Sequence, residues 1–290
     1  MRYVINTSNL SDRYYFFMPI VAKAWSRMGY LPVSLLYGFP ELWSSDESTR
    51  FTLRHIQETS QVFYVRPVER FLPSDTMRSA RIFAASLDFF KDDDYILVSD
   101  TDMLPLNRDY FGRQDLGMAV HLFNGDHYGR HMRTAPTRFP LCYVGAAAKV
   151  WNLFLGVQSH DIDAELKKFL TALPGTDRSS YDEIYFSRLL AHSPIFKGPL
   201  ERTGEFYFNK GECQIITRAF DEKAGYMGRI NRSYVFGGRK DLIDCHAPRP
   251  GYLAHVALLQ LLMTYFPGDS DYWKGYIPGF VDSIRMAGRS

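Results

Sequence analysis

Short apolar runs alternate with helix-like periodicity through the first third of the chain. Arg2 to Thr7 reads as a strand, and the apolar stretch from about Tyr15 to Met28 as a helix that stops at Gly29, a residue type suited to a helix C-terminus. Pro32 to Tyr37 predicts a second strand ending at Gly38, and Gln61 to Val65 a third, rich in β-formers and closed by Pro67. Ala80, Phe83, Ala84 and Leu87 recur at i, i+3, i+4 and i+7, which predicts a helix capped by Ser74 or Asp75. The acidic turn Asp92-Asp93-Asp94 then leads into the buried strand Tyr95-Ile96-Leu97-Val98.

Repeated strand–helix–strand units predict an α/β protein with a Rossmann-like sheet, mixed but mainly parallel, flanked by helices. The second half is less regular. Leu116 to Leu122, Lys210 to Thr217 and Ser233 to Phe236 read as strands, Asp161 to Leu173 and Tyr181 to Ala191 as helices, and Asn124 to Phe139 as a polar loop rich in His and Arg. No repeat, low-complexity tract or linker interrupts the chain. The expectation is one domain over 1–290, with 1–115 as its nucleotide-binding half and 116–290 as an acceptor-side half carrying a C-terminal helix. In such sheets ligands bind beyond the carboxyl ends of the strands, so the residues after Val98 are the first place to look for chemistry.

Composition narrows the classes. A net charge of +2 over 290 residues gives no strong basic field, which argues against nucleic acid as the main partner. Cys142, Cys213 and Cys245 are scattered, odd in number and without a CxxC pair, so neither a disulfide framework nor a zinc ribbon is expected, and a reducing compartment fits. The most apolar stretch, Tyr252 to Phe266, is interrupted by His255, Gln260 and Thr264 and falls short of the roughly 20 apolar residues of a bilayer span. With no signal peptide at the N-terminus, the expected location is the cytoplasm and the expected state soluble.

Asp100-Thr101-Asp102 sets two carboxylates one residue apart where a buried strand ends. Two neighbouring buried carboxylates are costly without a compensating cation. A divalent ion supplies that charge and also binds a diphosphate; Mg²⁺ and Mn²⁺ suit such hard oxygen ligands. Phosphatases of the haloacid dehalogenase type also place Asp-x-Asp after a strand, with the first Asp as nucleophile. They normally carry Thr or Val two places after the second Asp, where this chain has Leu104, and carry the motif near the N-terminus.

Taken together, Asp75-Thr-Met-Arg-Ser-Ala-Arg81 and Tyr95-Ile-Leu-Val-Ser-Asp100-Thr101-Asp102-Met-Leu-Pro resemble nucleotide-sugar glycosyltransferases of the GT-A fold. The likeness is to the retaining group that includes glycogenin and the bacterial lipooligosaccharide galactosyltransferases. The resemblance implies that Arg81 reaches the donor from its helix. Cys142-Tyr143-Val144-Gly145-Ala146 is similar to the small-residue segment lining that family's sugar pocket, without its usual Asn. Ser180-Tyr181-Asp182-Glu183 resembles the acidic opening of a helix whose polar groups face the transferred sugar, which implies Asp182 or Glu183 as the catalytic group. Asp244-Cys245-His246-Ala247-Pro248-Arg249-Pro250 resembles the late His, basic residue and Pro of the family, at tighter spacing and without the usual Gly. That implies His246 as a metal ligand with Asp100 and Asp102, Asp100 also holding the ribose or the donor sugar, and Arg249 on the diphosphate.

The implied function is metal-dependent transfer of a sugar from a nucleotide diphosphate donor, UDP first and GDP second, to a carbohydrate or glycoconjugate hydroxyl. Retention is favoured by the late His, and the cofactor is Mn²⁺ or Mg²⁺. Thr7, Ser8 and Asn9, following the first strand, are positioned to hydrogen-bond the nucleoside, and either Tyr14 or Tyr15 stacks on the base or packs in the core. A phosphatase and a non-catalytic nucleotide-sugar-binding module remain as alternatives.

Overall fold

The computed structural model describes residues 1–112, 120–122, 141–173, 181–192, 206–208, 244–247 and 249–287. Its centre is a seven-stranded sheet in the order β3-β2-β1-β4-β7-β6-β8, made of β1 (Arg2–Ser8), β2 (Leu31–Tyr37), β3 (Gln61–Val65), β4 (Tyr95–Ser99), β6 (Val120–Leu122), β7 (Tyr143–Ala147) and β8 (Phe206–Phe208). Strands β3, β2, β1 and β4 run parallel, β7 is antiparallel to both β4 and β6, and β6 pairs parallel with β8. The expected mixed, mainly parallel sheet is therefore the observed one. A separate two-stranded ribbon pairs β5 (Met103–Pro105) with β9 (Asp244–His246).

Helices cover both faces. On one side lie α1 (Asp12–Tyr15), α2 (Met18–Arg27), α3 (Glu47–Thr59), α9 (His255–Tyr265) and α10 (Ser270–Ala287), packed over Val4, Leu36 and Leu97 with an aromatic cluster of Phe16, Trp25, Trp273, Tyr276 and Phe280. On the other lie α4 (Pro73–Ala80), α6 (Ala148–Leu155), α7 (Ile162–Ala172) and α8 (Tyr181–His192), over Ile5, Val33 and Val98. The short α5 (Arg108–Gly112) follows the ribbon strand β5. Successive residues of β1 and β4 thus feed opposite cores, as a period of two requires. Both faces being covered explains why these strands read as continuous apolar runs.

Several boundaries differ from the sequence expectation. The helix expected from Tyr15 is split: α1 ends at Tyr15 and α2 begins at Met18 with Pro19 in its first turn, where a missing N–H costs nothing. It ends near Gly29, whose φ of +86° reverses the chain into β2. Neither Ser74 nor Asp75 caps α4; Leu72 is the N-cap, Pro73 opens the helix, and no side chain bonds the free amides. After Ala80 the helix tightens into a 3₁₀ segment, Arg81–Ser86. Helix α3, capped by the Asp46 carboxylate on the Thr49 amide, is an element the hydrophobic pattern did not reveal. Among the described residues no helix is long and apolar enough to cross a membrane. The expected strands Lys210–Thr217 and Ser233–Phe236 and the loop Asn124–Phe139, with His127, Arg130, His131, Arg133 and Arg138, lie outside the described residues.

Candidate active site

The chain runs outward from β1 to β2 and β3, then returns to β4 on the other side of β1. That reversal opens a crevice at the carboxyl ends of β1 and β4, the place where open α/β sheets bind ligands. A cavity of about 250 Å³ lies there. Thr7, Ser8 and Asn9 line it from the end of β1, and Ser99, Asp100, Thr101 and Asp102 from the end of β4. Tyr14 adds to it from α1, Ser74, Met77, Arg78 and Arg81 from α4 and its 3₁₀ extension, Asp182 and Glu183 from the first turn of α8, and His246 and Arg249 from β9 and the turn after it. The nucleoside, metal, diphosphate and catalytic residues expected from the sequence all meet in this one cavity, Tyr15 excepted.

Their charges form two groups. In the first, the buried Arg81 guanidinium donates to Asp182 Oδ2 from Nε and Nη2, at 3.3 and 2.7 Å, and to Asp100 Oδ1 from Nη1. Asp182 is only 3% exposed, so its charge is answered by Arg81. Burial alone would lower the Arg81 pKa, but Asp100 and Asp182 outweigh it and hold the guanidinium above its ordinary value.

In the second group the buried Asp102 carboxylate receives two partners on one oxygen. His246 Nε2 lies 2.9 Å and Arg249 Nε 2.7 Å from Asp102 Oδ2. Burial would push the Asp102 carboxyl up, but the hydrogen bond and charge of His246 and the Arg249 guanidinium hold it below its ordinary 3.8. Arg249 donates in turn from Nη1 to the Tyr14 hydroxyl at 3.0 Å, lies 5.5 Å over that ring, and brings Nη2 to 3.4 Å from His246 Nε2. Tyr14 therefore belongs to the site, whereas Tyr15 is core, bonded to Ser48.

The backbone that presents these groups is pinned at several points. Thr101 Oγ1 donates to the Thr7 carbonyl, tying the Asp-Thr-Asp turn to the end of β1. Trp25 Nε1 donates to Ser99 Oγ at 3.3 Å, and Ser99 Oγ to the Asp100 carbonyl at 3.2 Å. The ribbon sets His246 opposite Met103, and the Ala247 amide donates to the Asp102 carbonyl at 2.7 Å, which brings the late His beside Asp102.

Asp102 and His246 offer a carboxylate oxygen and an imidazole nitrogen on the same spot, a donor set that suits Mn²⁺ better than Mg²⁺. Asp100 stands on the same turn but is engaged by Arg81. Among the described residues no group of three or more His, Cys, Asp or Glu side chains is placed to hold a metal ion. Two protein donors fit an ion that completes its shell with phosphate oxygens and water.

Sequence reasoning passed over Arg78, although it stands three residues before Arg81 and so on the same helix face. Cys142–Ala146 does not line the cavity. Its residues from Tyr143 form the buried strand β7, and Gly145 is small because Tyr95 crosses it. The Cys142 thiol is pushed well up, first by burial and then by the nearby Asp100, so it is no nucleophile at neutral pH.

No protein-family model matches the sequence, and no curated protein matches it. Among solved structures, the chain is similar to the galactosyltransferase LgtC in complex with donor and acceptor sugar analogs. They share 13% identity over 80% of this chain and 83% of that one, with a TM-score of 0.39. It is also similar to the glycosyltransferase GlyE of Streptococcus pneumoniae, at 14% identity over 98% of this chain and 64% of GlyE, with a TM-score of 0.45. At such identity and overlap neither likeness assigns a reaction or a residue's role to this chain.

Proposed function

We propose that this chain is a metal-dependent glycosyltransferase that moves a sugar from a nucleotide diphosphate donor, UDP-linked in the first instance, to a hydroxyl of a carbohydrate or glycoconjugate, with retention of configuration. The observation that carries this is the meeting of Asp100, Asp102, Asp182 and Glu183 with Arg81, Arg249 and His246 in one cavity at the sheet's switch point. A diphosphate needs cations, sugar hydroxyls need carboxylate acceptors, and the cavity offers both within the reach of one ligand.

The geometry supports these roles. Thr7, Ser8 and Tyr14 stand at the end where β1 opens and receive the nucleoside. Arg249, a third exposed, presents its fork to the diphosphate, a planar match that favours bidentate bonding. Asp102 and His246 would hold Mn²⁺ or Mg²⁺ with Asp100 next to them, and such an ion would supply charge neutralisation for the departing diphosphate. Asp182, fixed by Arg81, positions the first turn of α8, and its neighbour Glu183 faces the cavity as the group that orients the acceptor or takes its proton. As the anomeric C–O bond breaks, the electron pair leaves with the diphosphate, and the acceptor oxygen bonds to the anomeric carbon while giving up its proton. Arg81's hold on Asp100 counts against that residue as the nucleophile of a phosphatase.

The test is thermal stability with UDP, GDP, CMP and dTDP compounds in Mn²⁺, Mg²⁺ or EDTA. A ligand at about 100 times its Kd stabilises by roughly 2.7 kcal/mol, a rise of about 4 °C in a chain of this size. We expect one nucleotide diphosphate to give that shift, with metal required and with the shift lost in Asp102→Asn. A folded protein that responds to none of them would sink the proposal.

A further inference from the structure

Arg81 and Arg249 each pair with one of the two motif carboxylates, Asp100 and Asp102 respectively, and they do so in different ways. Arg81 is 7% exposed and locked between Asp100 and Asp182, so it has no other place to go. The Arg249 side chain is 33% exposed; besides Asp102, it meets among the described residues a tyrosine hydroxyl and ring and the edge of His246, and it feels the charge of Asp100. It can leave Asp102 by turning into the cavity it already lines.

Its position also conflicts with an ion. Any divalent cation held by Asp102 Oδ2 and His246 Nε2 sits about 2 Å from both atoms. Arg249 Nε is 2.7 Å from that oxygen and Nη2 is 3.4 Å from that nitrogen. The guanidinium therefore stands on the ion's ground, and like charges at such range in a half-buried site repel strongly. Departure alone would leave a cation without an anion. An arriving diphosphate supplies that anion, in the geometry a guanidinium binds best.

We propose that Arg249 is an exchangeable internal cation: it holds Asp102 and His246 until a divalent ion takes them, and a nucleoside diphosphate draws it off, so that ion and nucleotide bind as a coupled pair. Each ligand alone meets a site arranged against it. The ion must displace a cation, and the nucleotide must pull Arg249 from a buried carboxylate that is then left with His246 alone. Together they satisfy every charge. Because such coupling is reciprocal, the factor by which nucleotide tightens the ion equals the factor by which the ion tightens nucleotide. This exchange rests on the metal–nucleotide role proposed above.

The experiment is a binding cycle without turnover. Mn²⁺ binding is measured by electron paramagnetic resonance of the free ion, with and without UDP or GDP, in wild type and in Arg249→Met. In wild type, nucleotide is expected to tighten Mn²⁺ by about 10- to 100-fold, within the usual range of coupling between sites. In Arg249→Met, Mn²⁺ alone is expected to bind about tenfold more tightly than to wild type, and the coupling factor to fall by about as much, the remainder being the ion's own contact with phosphate oxygens. Tyr14→Phe, which removes only the hydroxyl that accepts from Nη1, is expected to shift the metal affinity in the same direction by a smaller factor. It covers the case in which Arg249→Met does not fold. Unchanged or weaker Mn²⁺ binding in either folded variant, with wild-type coupling intact, overturns the exchange while leaving the transferase proposal standing. Absence of Mn²⁺ binding to wild type with any nucleotide overturns both.

Discussion

At the residue scale, the types and places of the functional groups were open to reading, but their partners were not. Asp100 and Asp102 stood out because two acids follow a buried strand, and His246 with Arg249 because they share a proline-rich turn. Nothing local pairs Arg81 with Asp182, a hundred and one positions later, or Arg249 with Tyr14, two hundred and thirty-five positions earlier. Those pairings arise only once the sheet closes. The Arg81 cluster makes a direct prediction. Arg81→Met leaves the buried Asp182 carboxylate without its cation, and breaking a buried pair from one side costs about 3–5 kcal/mol. The unfolding midpoint is therefore expected to fall by roughly 5–8 °C. Adding Asp182→Asn removes the stranded charge, so the double variant is expected to recover more than half of the loss. Recovery of none of it would show that Arg81 acts by packing alone.

At the element scale, the strands β1, β2 and β4 were legible because each is covered on both faces and reads as an apolar run, and the half-buried edge strand β3 because it is rich in β-formers and followed by Pro67. Helix α3 was not, since its buried face mixes Leu53 and Ile56 with Ser48, Thr49 and Thr52, whose hydroxyls hide a 3.6-residue period. The ribbon of β5 and β9 is three residues on each side and joins segments some 140 positions apart, so no window along the sequence contains it. Strand β7 was read only as a stretch of small residues. The structure gives that smallness a packing cause: a methyl group built on Gly145 overlaps the Tyr95 hydroxyl across the β4–β7 ladder. Gly145→Ala is expected to destabilise by about 1–3 kcal/mol through overpacking. Tyr95→Phe, which removes the oxygen but keeps the ring carbons Cζ and Cε1 in overlap with that methyl, is expected to relieve only part of that cost in the double variant, read by chemical unfolding. Additive losses would place the strain elsewhere.

At the scale of the whole molecule, the last helices close over the first. Asp269, in the turn that precedes α10, accepts from Arg27 at the end of α2 through both oxygens, at 2.7 and 2.5 Å, with Lys23 Nζ at 3.3 Å. The carboxylate is buried, while the Arg27 side chain is 54% exposed, so solvent screens part of the attraction. The Arg27 hydrogen bonds come first in holding the Asp269 carboxyl below its ordinary 3.8, against the opposing effect of burial. A carboxyl whose folded pKa is depressed adds stability that is present in full above its unfolded value and fades as pH falls through its folded value. The wild-type protein also loses stability from about pH 6.5 downward through His55, which burial holds below its ordinary 6.5, and then through Asp46 and Asp102, both held below 3.8. Those losses are shared by an Asp269→Asn variant and cancel when the two proteins are compared at each pH. The difference between them isolates the tether: Asp269→Asn is expected to cost about 1–3 kcal/mol between pH 5 and 8, the usual worth of hydrogen bonds to a charged group after screening. Below about pH 4 the gap is expected to narrow, and to close once the wild-type carboxyl is protonated. A gap that stays constant down to pH 2.5 would mean that Asp269 holds the C-terminal helices by shape and neutral hydrogen bonding, with its charge irrelevant to the fold.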